Sequence, residues 1–244
     1  MGNINTKKII IKILNSKIII GVLAYLFMGA AVFASYNVNL SYLLVIKNTL
    51  MSPIYVCMFI FPAYMLVANY VAVYILNKES YILKLGSRKK YCIFQYIISI
   101  AVTSVLYISN LCIICIAANI TKNTGIEHVG NEFKEILLGI FRIYACILVF
   151  LSLNIYIRNT FKNNIFFSAI NMCIIVCIFF SLRLDLIGFS KNLIPAYHIF
   201  NMENSNKYIE LAIKSSIYYA SIFTLLMFLN IKAVNKLDIY KDRN

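Results

Sequence analysis

The chain has 244 residues, of which 61% are hydrophobic and 13% charged, and its 23 Lys and Arg against 9 Asp and Glu leave a formal net charge of +14. A soluble domain is about half apolar and a quarter charged, so this composition excludes a soluble globular protein and indicates one solvated by lipid. Because each span needs about 20 apolar residues, the length holds roughly six spans and no separate catalytic or nucleotide-binding domain.

The N-terminal region combines a basic amphipathic segment with the first apolar run. In residues 6–17, isoleucines alternate with lysines at helical spacing, which predicts an amphipathic interfacial helix on the cytoplasmic membrane surface. The first predicted span follows at residues 18–36. A small-residue pattern ending at Ala34 also fits a signal-peptide cleavage site, but the long amphipathic start favours retention of the span.

Five further apolar runs follow along the chain. Runs such as residues 111–118 are apolar on every face, which excludes the alternating pattern of a transmembrane β-strand. We therefore predict an all-α membrane protein with a single transmembrane domain over residues 1–244. Its six predicted spans are 18–36, 53–76, 93–117, 136–157, 165–182 and 215–231.

Basic residues are distributed unequally between the two sides of this arrangement. Fifteen of the 23 Lys and Arg fall in the N-terminus, the second and fourth connections and the tail, against seven in the other connections. The positive-inside rule then predicts that both termini are cytoplasmic. The abundance of Ile, Asn and Lys indicates an AT-rich bacterial genome, so we expect a multi-pass protein of a bacterial plasma membrane. The excess charge indicates contact with anionic lipid and not with nucleic acid.

The predicted spans contain no recognisable catalytic or metal-binding set. Both histidines fall in predicted outer loops, and cysteines within apolar runs behave as small hydrophobic residues. No Asp or Glu lies in a predicted span, which disfavours an ion-coupled transporter and an intramembrane hydrolase. Arg142 is the one charge well inside a span, and we predict that it snorkels or pairs with Glu135. We therefore do not expect an enzyme, a bound cofactor or a metal.

Small residues recur every four positions on two of the predicted spans. Such stripes let helix backbones approach closely, either within one subunit or between subunits. The first and fifth spans are therefore candidates for a subunit interface, with the residues Ala30, Ala34, Ala169, Cys173 and Cys177.

The connection at residues 77–92, between the second and third predicted spans, is the most densely charged part of the chain. It is longer than a plain turn requires, and it combines an acid at its start, an apolar side, a Gly-Ser break and an Arg-Lys-Lys anchor. A short amphipathic element of this kind suits docking into the groove of a partner.

With this connection, the basic amphipathic start, six spans and a Pro-containing loop before the last span, the chain resembles the permease subunit of type 2 ABC transporters. More narrowly, it resembles bacterial permeases that pair with a separate ATPase to export peptides or confer immunity to bacteriocins. The resemblance implies that the connection is a coupling helix seated in the cytosolic ATPase. The residues implied are Glu79, Leu83, Leu85, Gly86, Ser87, Arg88 and Lys89.

The same resemblance implies outer re-entrant or interfacial helices in residues 183–214, where Pro195 and Tyr197 lie. It also implies a homodimer or heterodimer of permeases around a substrate path, with ATP and Mg bound by the partner ATPase. Two other interpretations stay open: a membrane sensor, immunity or scaffold protein that does not transport, and a secondary transporter without obvious carboxylates.

Overall fold

A computed structural model of the protein describes residues 6–37, 40–76, 85–120, 129–161, 167–176 and 208–236. Within these ranges 94% of the residues are helical and no strand occurs, which confirms the all-α fold. The helices, numbered in chain order, are α1 (Thr6–Leu14), α2 (Lys17–Tyr36), α3 (Tyr42–Leu50), α4 (Pro53–Tyr55, a π-helical turn Val56–Ile60, then Phe61–Leu76), α5 (Arg88–Ile120), α6 (Val129–Thr160), α7 (Phe167–Val176) and α8 (Tyr208–Lys236).

Five of these helices, α2, α4, α5, α6 and α8, are long and apolar enough to cross a membrane, and they coincide with five of the predicted spans. The chain is therefore a multi-pass membrane protein. The predicted span at residues 165–182 is described only over α7, and its remaining residues lie outside the described ranges. The predicted outer segment 183–214 lies mostly outside the described residues.

Serine side chains cap the N-termini of α2, α3 and α4, and a fourth serine caps α5. The Oγ atoms of Ser16, Ser41 and Ser52 each accept a hydrogen bond at 3.4 Å from the backbone amide three residues later, at the start of α2, α3 and α4. The sequence predictions do not include α3, because its 9 residues are too few to register as a span. It packs onto the ends of the long helices and buries its apolar face there.

The first four spans alternate in direction. Phe33 and Tyr25 of α2 contact Tyr55 and Phe59 of α4 respectively, so these two helices are antiparallel. In the same way, α5 is antiparallel to α6, since Tyr96 meets Ser152 and Tyr107 meets Ile140, as the hydrogen bonds show. Phe61 of α4 stacks on Phe150 of α6 at 4.8 Å. The start of α5 therefore lies at the same end of the bundle as α1, which we call the basic end.

α8 breaks the alternation, because it runs parallel to α6. Tyr219 of α8 lies near Arg142 of α6, and eleven residues further on Asn230 bonds Asn159 near the end of α6. Along a helix, the 22 residues from Tyr208 to Asn230 rise about 33 Å. The chain thus leaves α6 at the basic end and starts α8 at the opposite end of the bundle.

The contact between α2 and α4 is unusually close. A Cβ added to Gly29 would lie 2.3 Å from the ring of Phe59, which belongs to the π-helical turn. The hydroxyl of Tyr25 also donates to the backbone carbonyl of Met58 in this turn. Small residues thus let these two helices approach, as they commonly do in membrane bundles.

Candidate functional site

A cluster of buried amides joins α5, α6 and α8 at the basic end; we call Gln95, Asn159 and Asn230 the amide cluster. Asn159 donates from Nδ2 to Gln95 Oε1 at 3.1 Å and to Asn230 Oδ1 at 2.7 Å. Asn230 donates in turn to Cys92 Sγ at 3.4 Å. The three amides are at most 3% exposed. Because hydrocarbon offers no water as a competing partner, such hydrogen bonds hold spans together.

A second polar group lies further along the bundle and is formed by four tyrosines from three helices. Tyr55 and Tyr64 belong to α4, Tyr107 to α5 and Tyr144 to α6; we call them the tyrosine cluster. The rings of Tyr107 and Tyr144 have centroids 5.3 Å apart. Tyr64 lies within electrostatic range of the other three tyrosines. The cluster therefore occupies the space between the three helices.

Three of the four tyrosine hydroxyls have hydrogen-bond partners. Tyr55 donates to Asn110 Oδ1 of α5 at 2.8 Å, and Tyr107 donates to a backbone carbonyl of α6 at 2.7 Å. Tyr144 bonds Ser104 of α5 at 2.7 Å. By contrast, the Tyr64 hydroxyl has no hydrogen-bond partner within the described residues.

The π-helical turn explains how Tyr55 and Tyr64 come to face the same interior. Nine residues separate them, and at 3.6 residues per turn a regular α-helix would place them on opposite faces, about 180° apart. A π-helical turn absorbs one extra residue, which reduces this angle to about 80°. The turn at Val56–Ile60 lies between the two tyrosines. Such turns are frequent at functional sites.

The two clusters are connected by one polar face of α5. Residues spaced three or four apart share a face of a helix, and on this face each side chain is at most 4% exposed. The face rises about 22 Å along the helix over its 15 residues. Its members, which we call the α5 polar stripe, are Gln95, Ser99, Thr103, Tyr107 and Asn110.

Arg142 lies inside the bundle and not at its exposed end. Its side chain is 2% exposed, in contrast to the predicted snorkelling, because α8 covers it and places Tyr219 beside it. The predicted partner Glu135 forms an ion pair with Lys47, which joins α3 to α6.

Five of the seven predicted ATPase-contacting residues are described, and two, Glu79 and Leu83, lie outside the described residues. The five sit at the basic end, where the chain enters α5. Three of them, Gly86, Ser87 and Lys89, are exposed. The other two, Leu85 and Arg88, are half-buried.

A sharp corner separates this segment from α5. Gly86 has φ +68°, the left-handed region that glycine enters without a steric penalty. Ser87 then caps α5, since its Oγ accepts from the amide of Lys90 at 3.2 Å. Cys92 and Gln95, which bond α8 and α6, follow within two turns. A displacement of this corner would therefore reach three spans directly.

The predicted interface residues fall into different environments. Ala30 and Ala34 are 0% and 1% exposed within this one chain, so they pack inside the subunit and their side chains do not reach its surface. Ala169 and Cys173 of α7 are exposed. Cys177, and likewise the outer residues Pro195 and Tyr197, lie outside the described residues.

The sequence predictions do not include the amide cluster or the α5 polar stripe. A signal for both exists, because amides are uncommon inside apolar spans and the polar residues of α5 recur at helical spacing. These groups are neutral, so a charge pattern does not reveal them. Among the described residues, no three His, Cys, Asp or Glu side chains are grouped as a metal ion would require.

Comparison with the models of known protein families, with curated proteins and with solved structures finds no significant match.

Proposed function

We propose that this chain is the transmembrane permease subunit of an ATP-driven ABC exporter, paired with a separate cytosolic ATPase. One observation carries the proposal: the corner at Gly86 and Ser87 leads into α5, whose hydrogen bonds to α8 and α6 follow within about two turns. A partner that displaces residues 77–90 would move the N-terminal end of α5. The amide cluster passes this movement to two further spans.

The orientation in this proposal places the basic end in the cytoplasm. Exposed lysines at that end come from α1, from the start of α5 and from the last turns of α8, and no Asp or Glu is described beside them. At the opposite end the described lysines are fewer, namely Lys47, Lys134 and Lys214, and Lys47 is paired with Glu135. The positive-inside rule favours this orientation in the plasma membrane of a bacterial cell.

The proposal includes six spans, and the parallel directions of α6 and α8 support this number. If both cross the membrane from the outside inward, the chain between Phe161 and Tyr208 crosses it once in the other direction. We assign this crossing to residues 165–182. Both termini are then cytoplasmic, and α1 lies at the inner membrane surface with Ile9 and Ile13 buried and its lysines exposed.

In the proposed mechanism, ATP and Mg bind to the partner ATPase, and its closure displaces the coupling segment. Two permease chains, identical or different, form the complex, and the rocking of their spans moves a hydrophobic or amphipathic substrate such as a peptide, antibiotic or lipid outward. This chain performs no chemical step itself. Among the described residues that are buried in the bundle, no Asp or Glu occurs, which argues against a cation-coupled carrier.

The test is to search the neighbouring reading frames for a P-loop ATPase and to co-express it with this chain, followed by purification and ATPase assays in lipid nanodiscs. We expect a stable complex whose ATP turnover depends on the permease. Replacing Glu79 and Arg88 by Ala should reduce that turnover to the level of the ATPase alone, whereas Lys232→Ala, an exposed site at the same end, should not.

A complex that does not form, with the ATPase folded and active, would refute the permease role and favour a sensor, immunity or scaffold protein. Full coupling after both replacements would refute only the assignment of the coupling residues.

A further inference from the structure

Several buried hydrogen-bonding groups along the middle of the bundle have no partner among the described residues. The side chains that carry them are at most 1% exposed. These five groups belong to the two polar features described above: four lie on the α5 polar stripe, and the fifth is the unpartnered member of the tyrosine cluster. The atoms are Tyr64 Oη, Gln95 Nε2, Ser99 Oγ, Thr103 Oγ1 and Asn110 Nδ2. Other buried groups without a partner in the described part of the chain lie elsewhere in the bundle, on α3, α4, α6 and α7 among others.

Other hydroxyls of α5 show that this is not a general property of the helix. Ser104 and Ser109 donate to the carbonyls four residues earlier, at 2.8 and 3.0 Å, as serines in spans commonly do. A regular helix likewise offers Ser99 and Thr103 the carbonyls four residues earlier, yet their hydroxyls make no such bond. These two hydroxyls therefore keep unused hydrogen-bonding capacity.

The chemistry of these groups selects a small neutral ligand. Each buried polar group without a partner costs about 1–3 kcal/mol, and lipid cannot supply the missing hydrogen bond. The amide nitrogens are donors, whereas hydroxyls both donate and accept. A cation would lack a carboxylate here, and an anion would lack a fixed positive charge within the stripe. Water satisfies donors and acceptors alike and typically makes about three hydrogen bonds when buried.

We propose that the α5 polar stripe and Tyr64 bind a file of internal water molecules within a single chain. The amide cluster closes this file at the basic end, and the hydrogen bond between Tyr55 and Asn110 closes it at the other. The π-helical turn of α4 contributes by directing Tyr64 and Tyr55 to the same interior. The inference does not depend on the exporter role, because it concerns one chain and no substrate.

X-ray hydroxyl-radical footprinting of the intact protein in nanodiscs tests this directly. Radicals generated from bound water modify adjacent side chains even when these are buried. The matched control is Phe61, which is also 1% exposed, lies one turn from Tyr64 on α4 and stacks on Phe150. After correction for intrinsic reactivity, we expect Tyr64 to be modified at least fivefold faster than Phe61. Equal protection of the two rings would overturn the proposal.

Tyr64→Phe supplies an independent measurement. If water bonds the hydroxyl, its removal leaves the remaining water and its neighbours short of a partner, and the midpoint of denaturation falls. If the hydroxyl is simply buried without a partner, its removal relieves a desolvation penalty and the midpoint rises. A midpoint that rises or stays unchanged would overturn the water site at Tyr64.

Discussion

Asn159 is the centre of the amide cluster, and replacing it by Leu should weaken the joint between α5, α6 and α8. Its Nδ2 makes both of the bonds that link it to Gln95 and Asn230, at 3.1 and 2.7 Å. Hydrogen bonds between membrane helices are worth about 0.6 kcal/mol on average and about 1.7 at most. Two lost bonds therefore account for about 1–3 kcal/mol.

The loss of stability has a second contribution, because the replacement leaves the acceptors Gln95 Oε1 and Asn230 Oδ1 without this donor in an environment where bulk water does not replace it. Leu has the same number of side-chain heavy atoms and the same branching as Asn, so the replacement leaves no cavity, although its methyl groups are bulkier than the amide. We expect a total loss of about 2–4 kcal/mol, of which the larger part lies in the contact with α8.

Asn154→Leu is the matched control on the same helix. Asn154 is 1% exposed, but its Nδ2 donates to the carbonyl of Phe150 within α6 and its Oδ1 has no partner among the described residues. Its replacement removes a buried amide without breaking a contact between helices, so we expect stability to stay level or rise.

The free energy of unfolding of both variants is measured in mixed micelles by circular dichroism. A double-mutant cycle of Asn159→Leu with Asn230→Leu isolates the pair, and we expect a coupling energy of about 0.6–1.7 kcal/mol. If Asn159→Leu is as mild as Asn154→Leu and the cycle gives no coupling, the amide cluster does not join the helices and our reasoning is refuted.

Two more variants test the packing of the bundle. Gly29→Ala places a Cβ 2.3 Å from the ring of Phe59, so we expect the stability to fall by about 1–3 kcal/mol from overpacking and Phe59→Leu to restore part of it. Gly21→Ala is the control, because no atom lies within 4 Å of its added Cβ. An equal loss of stability in this control would contradict the close contact at Gly29. For the ion pair between Lys47 and Glu135, Lys47→Glu alone should lower stability by up to about 1 kcal/mol, and adding Glu135→Lys should restore it; failure of the double variant to recover would show that α3 is not held by this pair.

The amide cluster also bears on the proposed coupling mechanism. If the corner at Gly86 transmits movement through α5, then Asn159→Leu should reduce the permease-dependent ATP turnover even though the residue lies away from the coupling segment. Transport assays on the same variant separate the two roles, because a purely structural joint would lower stability without changing the turnover of the folded fraction.

Composition and apolar run length alone predicted the all-α membrane fold and the position of five long helices. This succeeds because a backbone in hydrocarbon must satisfy its own hydrogen bonds, so an apolar run of sufficient length has essentially one structure available. The sequence also predicted a break at Gly86 and Ser87, because a residue in the left-handed region and a helix cap have local sequence signatures. The helix α3 was not predicted, because its nine residues carry too weak a hydrophobic pattern.

Only the tertiary structure decided which face of each span points inward. α2, for instance, is apolar nearly all round, so its sequence does not separate Ala30, which is buried, from Met28, which is exposed. Three other features were likewise decided by the tertiary structure alone. They are the parallel course of α6 and α8, the burial of Arg142, and the contact of Asn159 with Asn230, 71 residues later in the chain. Lipid and protein interior are equally apolar, so the hydrophobic pattern that orients a helix in a soluble protein is lost, and packing with polar contacts between helices decides the arrangement.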